Sequence, residues 1–359
     1  MNFWQDLPKP FFVMAPMADV TDAAFRYLFA KYSKYGGQDI GTYGEFTPHL
    51  HASDGPDVIW TEFVSCDGLW HTREKQGMPD SENPLMRDLL YSEAERPIVA
   101  QLFSGKPEMM EYGARLVREL GFDGVDINMG CPDRTIEKQG SGASLIKNPT
   151  LARELIDAAK QGARMGEADG IPVSVKTRIG YNRDESDTWL PTLLESGIAA
   201  LTVHARTRKE MSLVPARWEH VAHAVKLRNE ICKKNWTSDV QFKTLIIGNG
   251  DVANMRQARE RVAETGCDGV MIGRGIFGNP WRYREDIDPD AILPEEKLRV
   301  LVEHVELFEK LLPHKNFAIM KKHFKAYVNG WDGAKELRNT LMESNSAEDV
   351  ERIIRRYLQ

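Results

Sequence analysis

The sequence predicts an α/β fold: a (β/α)8 TIM barrel followed by a small all-α helical domain. Three observations predict it. Eight short apolar runs are rich in Val and Ile, amphipathic stretches lie between most of them, and the C-terminal part carries helical patterns with no strand among them. Short unbroken apolar runs suit parallel strands buried on both faces. Eight of them alternating with helices over about 280 residues fit one barrel. A doubly wound open sheet is the alternative. It usually carries a glycine fingerprint after its first strand, where this chain has Ala15-Pro16-Met17-Ala18.

The expected strands are Phe11–Ala15, Val58–Phe63, Ile98–Leu102, Gly124–Ile127, Val173–Lys176, Ala200–Val203, Leu245–Ile247 and Gly269–Ile272. Helical periodicity marks Pro107–Leu120, Pro149–Gly162 and Asn254–Thr265, with Asp251 or Asn254 able to cap the last. The polar or Gly-rich stretches Lys34–Pro56, Thr72–Asn83, Met165–Gly170 and Arg228–Phe242 read as loops or insertions on the barrel rim. After a boundary dense in Asp and Pro near Arg282–Pro294, four helices are expected: Glu295–Leu312, Asn316–Asn329, Asp332–Met342 and Ser346–Leu358. The division is therefore 1–282 for the barrel and 283–359 for the helical domain.

At 359 residues and 42% hydrophobic content the chain can bury a large core. Its net charge of −6 excludes a uniformly basic nucleic-acid binder, so any RNA contact must use a local basic patch. Lys310–Arg338 is the candidate, with seven Lys and Arg against Asp332 and Glu336, an ordinary solvated helix face being the alternative. Lys321 and Lys325 are four apart and share a helix face, with Lys322 adjacent. None of Cys66, Cys131, Cys232 and Cys267 lies in a CxxC pair, so no metal site is expected. The N-terminal residues lack a secretory pattern and no apolar run is long enough to span a membrane, which suggests the cytoplasm. Nothing sets the oligomeric state, and a monomer is compatible with the composition.

In a TIM barrel the chemistry sits at the C-terminal strand ends. Polar or reactive residues follow nearly every run: Pro16-Met17-Ala18, Glu62, Gln101, Asn128 through Cys131, Lys176 with Arg178, His204 with Arg206, Asn249-Gly250-Asp251 and Gly273-Arg274. Any one could be a solvated rim residue, but together on one face they describe a pocket. The glycines after strands 7 and 8, with Arg274, have the logic of a phosphate site, although tight-turn glycines serve geometry alone elsewhere. Lys176 and His204 can hold phosphate or the anionic form of a reduced flavin, and Gln101 can bond the ring's polar edge or simply a barrel-mouth neighbour. Cys131 is the sharpest residue, since a thiol protonated at neutral pH can donate a proton. A buried structural thiol is the ordinary alternative, which suits Cys267. Cys232 reads as a surface residue, and Cys66 is the one rival to Cys131.

The segments MAPMADVTDAAFR, TEFVS, QLFSGKPE, DINMGCPDR, VKTRIG, VHARTR, IIGNGDV and GVMIGRGIFGNPW occur in the order found in dihydrouridine synthases. KKHFKAYVNGW with AKELRNTLMES resembles that family's helical domain, so the likeness covers almost the whole chain. The resemblance implies a bound FMN reduced by NADPH, and hydride transfer to C6 of a uracil flipped out of RNA, tRNA first and rRNA as the alternative. It implies that Cys131 protonates C5 and Asn128 helps hold the uracil. Pro16, Met17, Ala18, Gln101, Lys176, His204, Asn249, Gly250, Asp251, Gly273 and Arg274 would line the FMN. The candidate RNA contacts are Arg178, Arg206 and Arg208 at the mouth and Lys321, Lys322 and Lys325 on the helices. The chain departs from the family at Lys209-Glu210-Met211-Ser212, at Val214-Pro215 and in the insertion around 36–56. Two readings compete: an FMN barrel acting on a free small molecule such as a dihydropyrimidine, and an RNA-binding protein without chemistry. The C-terminal helices argue against the first, and Cys131, Lys176 and His204 together argue against the second.

Overall fold

The computed structural model describes residues 2–41, 43, 55–234 and 243–359. Eight parallel strands form one sheet: β1 (Phe11–Met14), β2 (Ile59–Ser65), β3 (Ile98–Phe103), β4 (Gly124–Met129), β5 (Val173–Arg178), β6 (Ala200–His204), β7 (Leu245–Asn249) and β8 (Gly269–Ile272). The order β1-β8-β7-β6-β5-β4-β3-β2 closes through a parallel bridge between Val13 and Val58, with the Met14 amide donating to the Val58 carbonyl at 3.1 Å. Closure settles the choice against an open doubly wound sheet. Each expected strand is present, most running one or two residues further toward the C-terminal end.

Burial explains both the strands and their order. The lower barrel interior is apolar, built from Phe11, Val13, Trp60, Val99, Ile247 and Met271, and Trp4 of the N-terminal turn packs against it. Side chains two apart on a strand share a face. Climbing two residues, Val99 gives way to Gln101, Ile247 to Asn249, and Met271 to Gly273. The interior therefore changes from hydrocarbon to polar toward the C-terminal ends. Outside, the Pro107–Glu119 and Pro149–Gly162 helices pack on the barrel and on each other through one continuous core. Asn254 caps the Met255–Thr265 helix by accepting from the Gln257 amide at 3.0 Å.

Two loop expectations are corrected. Arg228 lies in the helix Glu219–Lys234, buried, with its guanidinium on the Asp268 carboxylate and the Thr244 carbonyl. That ion pair turns a polar stretch inward, which composition cannot reveal; residues 235–242 lie outside the described residues. Thr72 continues the Cys66–Trp70 helix through a π turn at His71–Lys75, so only the remainder of the 72–83 stretch is loop. Of the 36–56 insertion, residues 42 and 44–54 lie outside the described residues.

The C-terminal part comprises Pro294–Leu311, a 3-10 turn Phe317–Met320 leading into Lys321–Tyr327, then Ala334–Leu341 and Ala347–Tyr357. Its apolar core is shared with the barrel: Ala23, Ala24, Leu28 and Tyr32 from the first barrel helix, and Trp281, pack with Leu301, Val305, Phe308 and Phe324. Among the described residues no helix is long and apolar enough to cross a membrane.

Candidate active site

The polar end of the barrel opens into a cavity of about 720 Å3, lined by Ala15 to Met17, Lys176, His204, Arg206, Ser212, Asn249 to Ala253, Gln257 and Gly273 to Gly275. The strand register assembles it: Arg178 is level with His204, and His204 with Asn249. Gly250 has φ +129°, and a Cβ there would lie 2.7 Å from that of Ala216. Only a glycine lets the backbone pass this close to Ala216. A Cβ on Gly273 would make only ordinary contact with Ala15 and Met17, at 3.7 Å.

The electrostatics are cationic. Burial, then the neighbouring Arg178, pushes the Lys176 ammonium down to about 8, against the pull of Asp126 and Cys131. At neutral pH it remains mostly charged. His204 is held well below its ordinary value by burial and by Arg178, Lys176 and Arg206, so it is neutral. The Arg206 guanidinium lies 3.2 Å from His204 Nε2. A guanidinium only donates, so Nε2 accepts and the ring proton sits on Nδ1. Asp251 is the one carboxylate of the lining. It accepts from Arg206, from Arg274 at 2.8 Å and from the Ala216 amide at 2.9 Å, and these partners hold it below the usual carboxylate range against its burial.

Cys131 lies outside this lining but beside its Lys176 corner, near enough that each perturbs the other's titration. Burial pushes the Cys131 thiol up, so it is protonated at neutral pH. Its turn is braced from several sides. The Cys131 carbonyl accepts from the Ala143 amide at 2.9 Å, and Arg178 reaches from β5 to the Gly130 carbonyl at 2.8 Å and to the carbonyls of Thr207 and Met211. Cys66 is fully buried with its thiol pushed up further still, and a Cβ on Gly113 would sit 2.5 Å from its sulfur. The two cysteines differ in access, Cys131 being partly exposed. Cys267 is buried and Cys232 partly exposed.

Of the residues anticipated to hold a cofactor, Pro16, Met17, Lys176, His204, Asn249, Gly250, Asp251, Gly273 and Arg274 line the cavity. Ala18 is exposed on the turn after β1, and Gln101 has no exposed surface, its amide engaged by Asp126 and Asn128. The arginines expected at RNA all have partners within the protein. Arg178 clamps the Cys131 turn, Arg206 is 2% exposed and holds Asp251 and the Val214 carbonyl, and Arg208 pairs with Glu137 over the Tyr181 ring. Lys322 and Lys325 are exposed and Lys321 partly so. Lys315, counted in the basic patch, instead pairs with Glu62 at 2.5 Å and Asp88 at 3.0 Å. The sequence did not single out Ser212 and Gln257 of the cavity lining, nor the buried Asp126 beneath it. The first two sit on loops and a helix that only folding brings to the mouth, whereas Asp126 was signalled by its spacing of two before Asn128 on β4.

The family model "Dihydrouridine synthase (Dus)" matches residues 13–358. A "Probable tRNA-dihydrouridine synthase" of Staphylococcus aureus (strain COL) is 37% identical over 356 residues, covering 98% of this chain and 94% of that one. "Probable tRNA-dihydrouridine synthase 2" of Bacillus subtilis (strain 168) is 37% identical over 367 residues, covering 99% and 98%. Among solved structures, morphinone reductase superposes with a TM-score of 0.47 at 14% identity, over 78% of this chain and 86% of that one.

Proposed function

Since this chain belongs to the dihydrouridine synthase family, we propose that it reduces uridine to 5,6-dihydrouridine in tRNA, with FMN as its resident cofactor and NADPH as the reductant. The observation that carries the reading is the pairing of a cationic cradle with a protonated thiol at one barrel mouth. The residues fit a flat anionic group. Lys176 and Arg274 offer positive charge, His204 is a neutral donor, and the backbone of Gly250 and Gly273 lines the opening. The cavity is of the size that small-molecule cofactors occupy.

A bound reduced flavin supplies the hydride that uracil takes at C6. The protein then supplies the proton: Cys131 gives its thiol hydrogen to C5, completing addition across the C5–C6 double bond and leaving a thiolate that solvent reprotonates. Lys176 and Arg178, beside Cys131, ease the transient negative charge on sulfur. A uracil stacked within RNA cannot reach this position, so the base must leave the stack. The exposed Lys322 and Lys325 suit contacts to the phosphate backbone, which need charge more than shape.

The test is a variant. Cys131→Ala should stay yellow, bind FMN and accept electrons from NADPH, while losing about 10²–10⁴ in uridine reduction, the usual range for a positioned proton donor. Mass spectrometry of dihydrouridine in treated tRNA measures the loss. A colourless wild type that cannot be reconstituted with FMN defeats the cofactor assignment, and wild-type turnover by Cys131→Ala defeats the proton donor. Efficient reduction of free uridine or uracil would favour a small-molecule substrate instead.

A further inference from the structure

Beneath the cavity, side chains from β3, β4 and β5 form one directed hydrogen-bond chain. Ser174 Oγ donates to Asp126 Oδ1 at 2.6 Å, and Gln101 Nε2 donates to Asp126 Oδ2 at 2.7 Å. Asn128 Nδ2 donates to Gln101 Oε1 at 2.9 Å. Asn128 Oδ1 then accepts from the backbone amides of Gly130, at 3.1 Å, and Cys131, at 2.9 Å. Gln101 and Asp126 have no exposed surface, Ser174 is 1% exposed and Asn128 8%.

The direction of this chain is forced from both ends. Backbone amides only donate, so Asn128 must turn its oxygen toward Cys131 and its NH2 toward Gln101. Gln101 must therefore receive with its oxygen, which leaves its NH2 facing the other way. A carboxylate, which only accepts when ionised, terminates the chain there. Burial pushes Asp126 up to about 6, while Ser174, Gln101 and Lys176 favour its ionised form. It is thus ionised at neutral pH inside the barrel, where an unpaired charge would be costly.

We propose that Asp126 is a positioning residue for the reaction: by fixing the orientation of the Gln101 and Asn128 amides, it sets the turn that carries Cys131. The proposal rests on Cys131 as the proton donor, but its geometry can be tested without turnover. An isosteric exchange reverses the chain. In Asn128→Asp, carboxylates at 126 and 128 compete for the single NH2 of Gln101, and one of them faces its oxygen. Adding Asp126→Asn relieves this. Asn at 126 then donates to Gln101 Oε1 and still accepts from Ser174, Gln101 turns over, and its NH2 meets the carboxylate at 128.

Asn128→Asp should lower the melting temperature and change the alkylation rate of Cys131 by about tenfold, the scale on which residues of one network couple. The melting-temperature loss should shrink as pH falls and one carboxylate takes a proton. The double variant Asn128→Asp with Asp126→Asn should recover both readouts and lose that pH dependence. Since 128 is a carboxylate in both proteins, comparing them isolates the chain from the added charge at 128. Cys131 alkylation is followed by mass spectrometry, with flavin reduction by NADPH measured alongside. If Asn128→Asp fails to fold while the double variant folds, the proposal stands. If the second change leaves or deepens the defect, or if Asn128→Asp matches the wild type, it is overturned. Normal uridine reduction by Cys131→Ala would overturn the proton-donor reading instead, with the alkylation and melting data still reporting on the chain.

Discussion

Lys176 shows how a strand end becomes a pH-sensitive grip. Its ammonium titrates near 8 because burial and Arg178 oppose the charge more than Asp126 supports it. Affinity for an anionic flavin should therefore be level near neutrality and weaken as pH rises through about 8 and the proton is lost. A bound anion favours the charged form and raises the pKa in the complex, so the decline should begin near 8 and level off at that higher value. Titrating FMN into the apoprotein across this range measures both. Lys176→Met should bind FMN weakly with the slope abolished, and a wild-type affinity flat through pH 8 would remove Lys176 from the site. The residue itself was legible in the sequence, because a cation ending an apolar strand stands out. The roles of Arg206 and Arg208 were not. Their partners Asp251 and Glu137 lie 45 and 71 residues away, and only the fold brings them together.

At the scale of elements, strands were legible because each is short, apolar and followed by a polar residue at the barrel mouth. The segment 313–316 was not, because Lys315 looks like any lysine in a basic stretch. Folding carries it onto β2, where Glu62 accepts from Lys315 and from the Asp19 amide, and Asp88 accepts from Lys315 and His314. Asp19 has φ +54°, a left-handed backbone that a non-glycine residue holds only with help. The Glu62–Lys315 pair thus ties the helical part to the turn after β1, next to cavity-lining Met17. The side chains of Lys315 and Glu62 are 10% and 7% exposed. Lys315→Met would leave Glu62 and Asp88 without their cation, at a cost of about 3–5 kcal/mol. Urea unfolding should register that loss, and Lys315→Met combined with Glu62→Gln should recover part of it. A shift no larger than that of an exposed lysine would mean the pair is only incidental.

For the whole molecule, the seam between barrel and helices decides both stability and RNA contact. His304 and His323 meet there at 4.8 Å between ring centroids, packed against Phe25 of the first barrel helix. Burial pushes His304 down to about 3, and burial with His304 and Lys322 nearby holds His323 well below its ordinary value. Both are neutral when folded and bind protons when unfolded below about pH 6.5. Stability is therefore complete above that pH and falls as pH drops toward 3, by up to about 1.4 kcal/mol per unit for each histidine. His304→Phe should flatten part of that slope in urea titrations at several pH values. On the outer side of the same helices, Lys322 and Lys325 are exposed, and Lys322 lies close enough to Asp19, Asp22 and Glu62 to feel their charge. Phosphates bound at this face would lie beside the turn after β1, and so near the cavity where the base must enter. Changing Lys321, Lys322 and Lys325 together to Glu should weaken tRNA binding and flatten its salt dependence, by about 0.7–0.9 in logarithmic slope for each phosphate that is no longer neutralised. FMN content and NADPH oxidation should be spared, since none of the three lines the cavity. Unchanged affinity and slope across a salt series would make this face ordinary solvated surface. Phosphate recognition would then have to come from elsewhere on the rim, where Arg206 and Arg208 are already held by carboxylates and Lys147 lies over the Tyr181 ring.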